Sequence, residues 1–151
     1  MSFQQKNITV SLVNFTLILA FFVVRIGQLV QNGSFAEPSV FRLWGIVIVL
    51  AVVVTVLATI LTHIVSTLIE AIRTGEKAPE IEDFQDERDK LIDLRGTKVT
   101  YTVSSLGAFL AMLTFVFGQP PLVMFTLLIF FGVSAQIVGD ITRLLLYRRG
   151  I

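Results

Sequence analysis

Gln136, Asp140, Arg143 and Tyr147 recur every three or four positions near the end of a long apolar stretch, so a helix sets them on one face. His63, Thr67, Glu70 and Thr74 share that spacing in a second apolar stretch, with Ser66 and Arg73 alongside. Lys98, Thr102 and Ser105 do the same in a third. Ionisable groups in apolar surroundings are expensive and imply either a function or a partner. On the functional reading, His63, Glu70, Arg73, Lys98, Gln136, Asp140 and Arg143 form a vestibule for an ion, an anionic headgroup or a small solute. On the structural reading the same charges lie at the headgroup level, pair with one another and fix helix register, since long Lys and Arg side chains snorkel readily. Asp140 then takes a basic partner, Arg143 on its own helix or Lys98 or Arg73 on a neighbour. His63 alone reads as an interhelical hydrogen-bonding residue before it reads as a proton relay.

Other chemistry is poorly represented. There is no phosphate-binding Gly-rich loop, no Gly-x-Ser-x-Gly elbow and no His-Glu-x-x-His. One histidine and no cysteine leave no multi-His or thiolate metal site and no disulfide. The carboxylates crowded into 80–93 fit a hydrated helix of mixed charge better than catalysis. The expectation is a protein with no catalytic residues, no metal and no cofactor. Too few basic residues face one side for direct nucleic-acid binding.

The elements that carry these stripes are dictated by hydropathy. Residues 99–139 contain no formal charge and are broken only by Gly118-Gln119-Pro120-Pro121; residues 43–69 form a second uncharged run. The chain is 54% hydrophobic, only 15% charged, and has a mean hydropathy of +0.82, well outside the soluble range. About twenty apolar residues span the roughly 30 Å hydrocarbon core as a helix. Four spans are predicted, over about 8–30, 41–69, 98–118 and 122–142, in one membrane domain. The fold class is an all-α integral membrane four-helix bundle whose partner is first of all the lipid bilayer. Glu37-Pro38-Ser39 read as breakers after the Gln31–Ser34 turn, and Trp44 as an interfacial aromatic. The pairs Ser104/Ala108 and Gly107/Ala111, and the set Gly132, Ala135 and Gly139, allow close helix approach in a compact bundle or a homo-oligomer.

Charge placement orients the spans. Arg73, Lys77, Arg88, Lys90, Arg95 and Lys98 lie between the second and third, and Arg143, Arg148 and Arg149 at the C-terminal end. The first loop has only Arg25 and Arg42 at its edges, with Glu37 a candidate partner for Arg25, and the Gln119 turn has none. The positive-inside rule places both termini and the middle connector, 73–97, in the cytoplasm. A cleaved signal peptide ending near Ser34-Phe35-Ala36 fits less well, because the apolar run is long and Arg25 and Gln28 precede the site.

In the connector, Asp83 reads as an N-cap, with Asp86 and Glu87 in the positive first turn and Lys90 spaced to pair with them. Leu91, Ile92 and Leu94 give that helix an apolar side. The simplest picture is a third helix extended into the cytoplasm, with Gly96 permitting a bend or a close neighbour. Residues 86–101, from Asp86-Glu87-Arg88 through Ile92-Asp93-Leu94-Arg95 to Tyr101, resemble the signature of an uncharacterised family of small four-helix membrane proteins of bacteria and archaea. Gly96 stands where that signature has alanine. The resemblance implies a prokaryotic plasma-membrane protein, and the family's genes neighbour small helix-turn-helix regulators. The leading expectation is therefore a regulatory or accessory subunit that docks a cytoplasmic protein through 83–95, with Arg88, Leu91, Leu94 and Arg95 on the docking face. The alternative is a small transporter or channel subunit built on the polar stripes.

Overall fold

The computed structural model describes residues 3–74 and 87–149, which form four helices: α1 (Phe3–Gln31), α2 (Glu37–Thr74), α3 (Glu87–Val116) and α4 (Pro121–Arg149). Each is long and apolar enough to cross a membrane. The result is an all-α four-helix bundle with the helices running alternately up and down, the arrangement of a multi-pass membrane protein.

The two described reversals are both set by glycine. Gly33 (φ 65°) and Gly118 (φ 80°) occupy the left-handed region just past α1 and α3. In each, two N–H groups fold back onto the last turn: Gly33 to Val30 and Ser34 to Leu29, Gly118 to Phe115 and Gln119 to Thr114. That pairing satisfies carbonyls that would otherwise be orphaned at the helix end. Pro121 opens α4, where its missing N–H costs nothing. Pro38 behaves likewise. It was expected to break the chain, yet it sits in the first turn of α2, whose N-terminal bonds run from Ser39 and Val40 to the Ala36 carbonyl. A first-turn proline is compatible with a helix, so α2 begins about four residues before the expected start.

Packing is uneven. α3 and α4 share the most extensive interface, α1 packs on both α4 and α2, and α2 meets α4 only lightly. Among the described residues the spatial order is thus α2, α1, α4, α3, with α2 and α3 not closed against each other. Ile18, Phe22, Leu43 and Val47 make the buried core of the α1–α2 pair, with Trp44, Ile129 and Phe130 against it. Trp44 is not a free interfacial anchor: its ring meets Phe41 and Phe125 edge to face, with centroids 4.9 and 5.5 Å away.

α3 and α4 interlock through small residues. A side chain on Gly96 would collide with the Arg143 stem, one on Gly107 with the Phe131 ring, and one on Gly139 with Thr100. Of the small residues expected to face a neighbour, Gly107, Ala111, Ala135 and Gly139 are buried, whereas Gly132 faces open space. Val13, Val24, Val49, Val56, Leu106 and Phe109 are among the many apolar side chains left exposed. A bilayer would solvate that surface; water would not.

Candidate functional site

α3 runs unbroken from Glu87 through Gly96, so the charged part of the helix is continuous with its apolar part. Gly96 admits Arg143, which crosses from α4 over the bare backbone. From there the guanidinium makes three bonds at once. Nε donates to Asp93 Oδ1 at 2.9 Å, Nη1 to Asp140 Oδ1 at 2.9 Å, and Nη2 to Thr97 Oγ1 at 2.8 Å. The planar fork spreads these donations over three nitrogens, so its acceptors can lie farther apart than those around a single ammonium nitrogen.

Asp140 is the buried partner, with its side chain 3% exposed against 12% for Arg143 and 67% for Asp93. Its other contacts are complete: Gln136 Nε2 donates to Oδ1 at 3.2 Å and the Ser11 hydroxyl to Oδ2 at 2.6 Å. One carboxylate thus ties α1 to α4, and one guanidinium ties α4 to α3. A turn further along α4, the Tyr147 hydroxyl donates to Asp89 at 2.6 Å, and Arg88 reaches the Tyr147 carbonyl at 3.4 Å and lies 6.0 Å from its ring centroid. The charged start of α3 is pinned along its length to the end of α4.

Because α2 and α3 do not close, a cavity of about 330 Å³ opens between them, with α1 and α4 as its floor. α1 supplies Gln4, Asn7 and Ser11; α2 supplies Thr55 and Thr59; α3 supplies Asp89 and Asp93; α4 supplies Gln136, Asp140, Arg143 and Tyr147. The Thr55 hydroxyl is shielded from solvent and has no hydrogen-bond partner among the described residues. Thr59, one turn on, returns its hydroxyl to the Thr55 carbonyl. Among the described residues, no group of three His, Asp or Glu side chains has the geometry of a metal site.

Of the residues singled out by sequence, Gln136, Asp140 and Arg143 come together. Lys98 does not join them: it is exposed and absent from the cavity wall. Gly96 and Thr100 face α4, and Lys98, two residues from each, points about 200° away at the helical 100° per residue. Thr102 and Ser105 share its exposed side. His63, Glu70 and Arg73 belong to the C-terminal part of α2, and their side chains lie outside the described set, as do Asp83 and Asp86 altogether. On the docking face, Leu91 and Leu94 are 54% and 66% exposed and Arg95 is exposed, while Ile92 turns inward and is buried. Arg88 is engaged with Tyr147.

Ser11, Thr55, Asp89, Asp93 and Thr97 were not anticipated. Their spacing carried some of the information. Gln4, Asn7 and Ser11 repeat at three and four, and Asp89, Asp93 and Thr97 at four. No protein-family model matches this chain, and no curated protein or solved structure matches it either.

Proposed function

We propose that this chain is a small multi-pass membrane protein that takes a small polar solute into the cavity between α2 and α3. The observation that carries the reading is the polar cavity itself, walled by all four helices and backed by a charge pair whose own hydrogen bonds are complete. Asp89, Asp93 and Asp140 against Arg143 leave a formal charge of −2 on the wall, three negative minus one positive. Such a wall favours cationic and neutral solutes over anions. The cavity lies at the end where α1 begins and α4 ends, and the Lys/Arg bias favours the cytoplasmic side for that end.

The test is flux into liposomes holding the full chain, using tetramethylammonium and methanesulfonate as permanently charged probes of similar size. Tetramethylammonium is expected to enter several-fold faster than methanesulfonate, and Thr55→Val with Asp89→Asn to slow it several-fold. Rates equal to those of protein-free liposomes for both probes would overturn the reading.

A second reading rests on a separate observation: Leu91 and Leu94 are left exposed beside Arg95, at the charged start of α3. That surface would suit a cytoplasmic protein, in keeping with an accessory subunit. Here Leu91→Ser with Leu94→Ser should leave insertion intact and strip a stoichiometric soluble partner from native-membrane preparations. Unchanged recovery of any partner would dispose of the docking helix.

A further inference from the structure

The opposite end of the molecule carries a second recess, of about 350 Å³, between the last turns of α1 and the first turns of α2. Arg25 and Arg42 both line it, and no carboxylate does, so its wall has a formal charge of +2. Arg25 does not take Glu37 as its partner. Its guanidinium accepts no ion pair among the described residues; it donates to Gln28 Oε1 at 3.1 Å and lies 6.0 Å from the Phe21 ring centroid. Arg42 has no ion pair among them either. The contrast with Arg143, saturated by two carboxylates, is plain.

We infer that this recess seats the phosphate group of a phospholipid. Two guanidiniums facing one space repel each other, and an anion between them reverses the sign of that energy. The guanidinium fork matches the oxygens of a phosphate in a way few other anions do. Asn32 and Ser39, also on the wall, add neutral hydrogen-bonding groups. The depth is right for a headgroup. Arg25 lies six residues before the end of α1 and Arg42 five after the start of α2, about 9 and 7.5 Å inside the helix ends at 1.5 Å per residue. From that depth an arginine side chain is long enough to snorkel to the phosphate level.

The source of the phosphate follows from the other half of the wall. Leu29, Leu43 and Ile46 also line the recess, and Ile46, one turn deeper along α2 than Arg42, is 42% exposed on the apolar flank of that helix. An acyl chain can run from the charged mouth onto that flank, whereas a free anion would leave the apolar part unused. The site is also held in place. Leu43, next to Arg42, is buried in the α1–α2 core with Phe22, so the turn that carries the guanidinium is fixed.

The experiment is a native mass-spectrometry titration of the full chain in mild detergent with phosphatidylglycerol and, as the phosphate-free control, diacylglycerol. One phosphatidylglycerol is expected to bind at least tenfold tighter than diacylglycerol. Arg25→Gln with Arg42→Gln should remove that preference, and Arg149→Gln, at the other end, should keep it. Arg25→Lys with Arg42→Lys, which retains charge without the fork, should show an intermediate loss, and melting of each variant without lipid checks that the fold is intact. Equal binding of the two lipids, or full retention by the folded Arg25→Gln/Arg42→Gln protein, would overturn the site. Displacement of the lipid by low-millimolar inorganic phosphate would overturn the lipid assignment in favour of a free anion.

Discussion

Arg143→Gln is expected to destabilise the detergent-solubilised protein by about 3–5 kcal/mol, the usual cost of stranding a buried charge by removing its partner. The three bonds of Arg143 do not contribute equally. Asp93 is 67% exposed, so its ion pair resembles a surface pair and contributes about 0–1 kcal/mol. The bond to Thr97 contributes on the order of 1 kcal/mol. Asp140 dominates, because its carboxylate is almost wholly buried and would keep only Ser11 and Gln136 as donors. Asp140→Asn should cost less, since Arg143 retains Asp93 and Thr97. The double variant, with both charges gone, should recover a large part of the Arg143→Gln loss. Arg143→Lys should recover part of the loss, because its ammonium restores a cation beside Asp140 but lacks the three separated nitrogens that also reach Asp93 and Thr97. Trp44, the only tryptophan, lies in the α1–α2 core and reports unfolding in a denaturing-detergent titration. A double variant no more stable than Arg143→Gln would show that the clamp is not governed by the buried charge.

The four helices were legible because they follow from local chemistry. Uncharged runs mark them, and Gly33, Gly118 and Pro121 lie at the described reversals, whereas α2 starts earlier than expected because a first-turn proline does not end a helix. The pairing of Asp140 with Arg143 was legible for the same reason, three residues apart on one helix. What was not legible was rotational: which side of α3 meets α4. Lys98 and Asp93 are equally polar and stand within two turns of each other, yet only Asp93 faces the partner. That choice is made by Gly96, Thr100, Gly107 and Ala111, whose small side chains let α4 approach on one face alone. Small residues also lie elsewhere on α3, at Ser104, Ser105 and Ala108, so the pattern did not single out the face. The cavity was still further from view. It exists because α2 and α3 do not close among the described residues, a matter of helix placement that no residue spacing records.

The tight contact between α3 and α4 sets the other large expected effect, which separates two glycines on one helix. Gly139→Ala should loosen the α3–α4 interface by about 1–3 kcal/mol, the range for overpacking a tight contact. A methyl there would overlap the Thr100 hydroxyl and come within 3.2 Å of Thr100 Cβ and 3.3 Å of the Gly96 carbonyl oxygen. Thr100 is held by its own bond to that carbonyl at 3.1 Å, and backbone cannot swing aside, so the helices must part. Parting them would also draw Arg143 away from Asp93 and Thr97, so the damage spreads to the charge clamp. Gly132→Ala, seven residues earlier on the same helix, meets nothing within 4 Å. There the substitution changes only helix propensity, which favours alanine over glycine by about 1 kcal/mol. The same chemical change is thus expected to shift stability in opposite directions at two positions of α4. Thr100→Ala should rescue Gly139→Ala in part, because it removes the hydroxyl overlap and leaves the Cβ and carbonyl contacts. Unfolding titrations of Gly139→Ala, Gly132→Ala and the Gly139→Ala/Thr100→Ala double variant decide the matter. A Gly139→Ala protein as stable as Gly132→Ala would mean that α3 and α4 do not meet along this face.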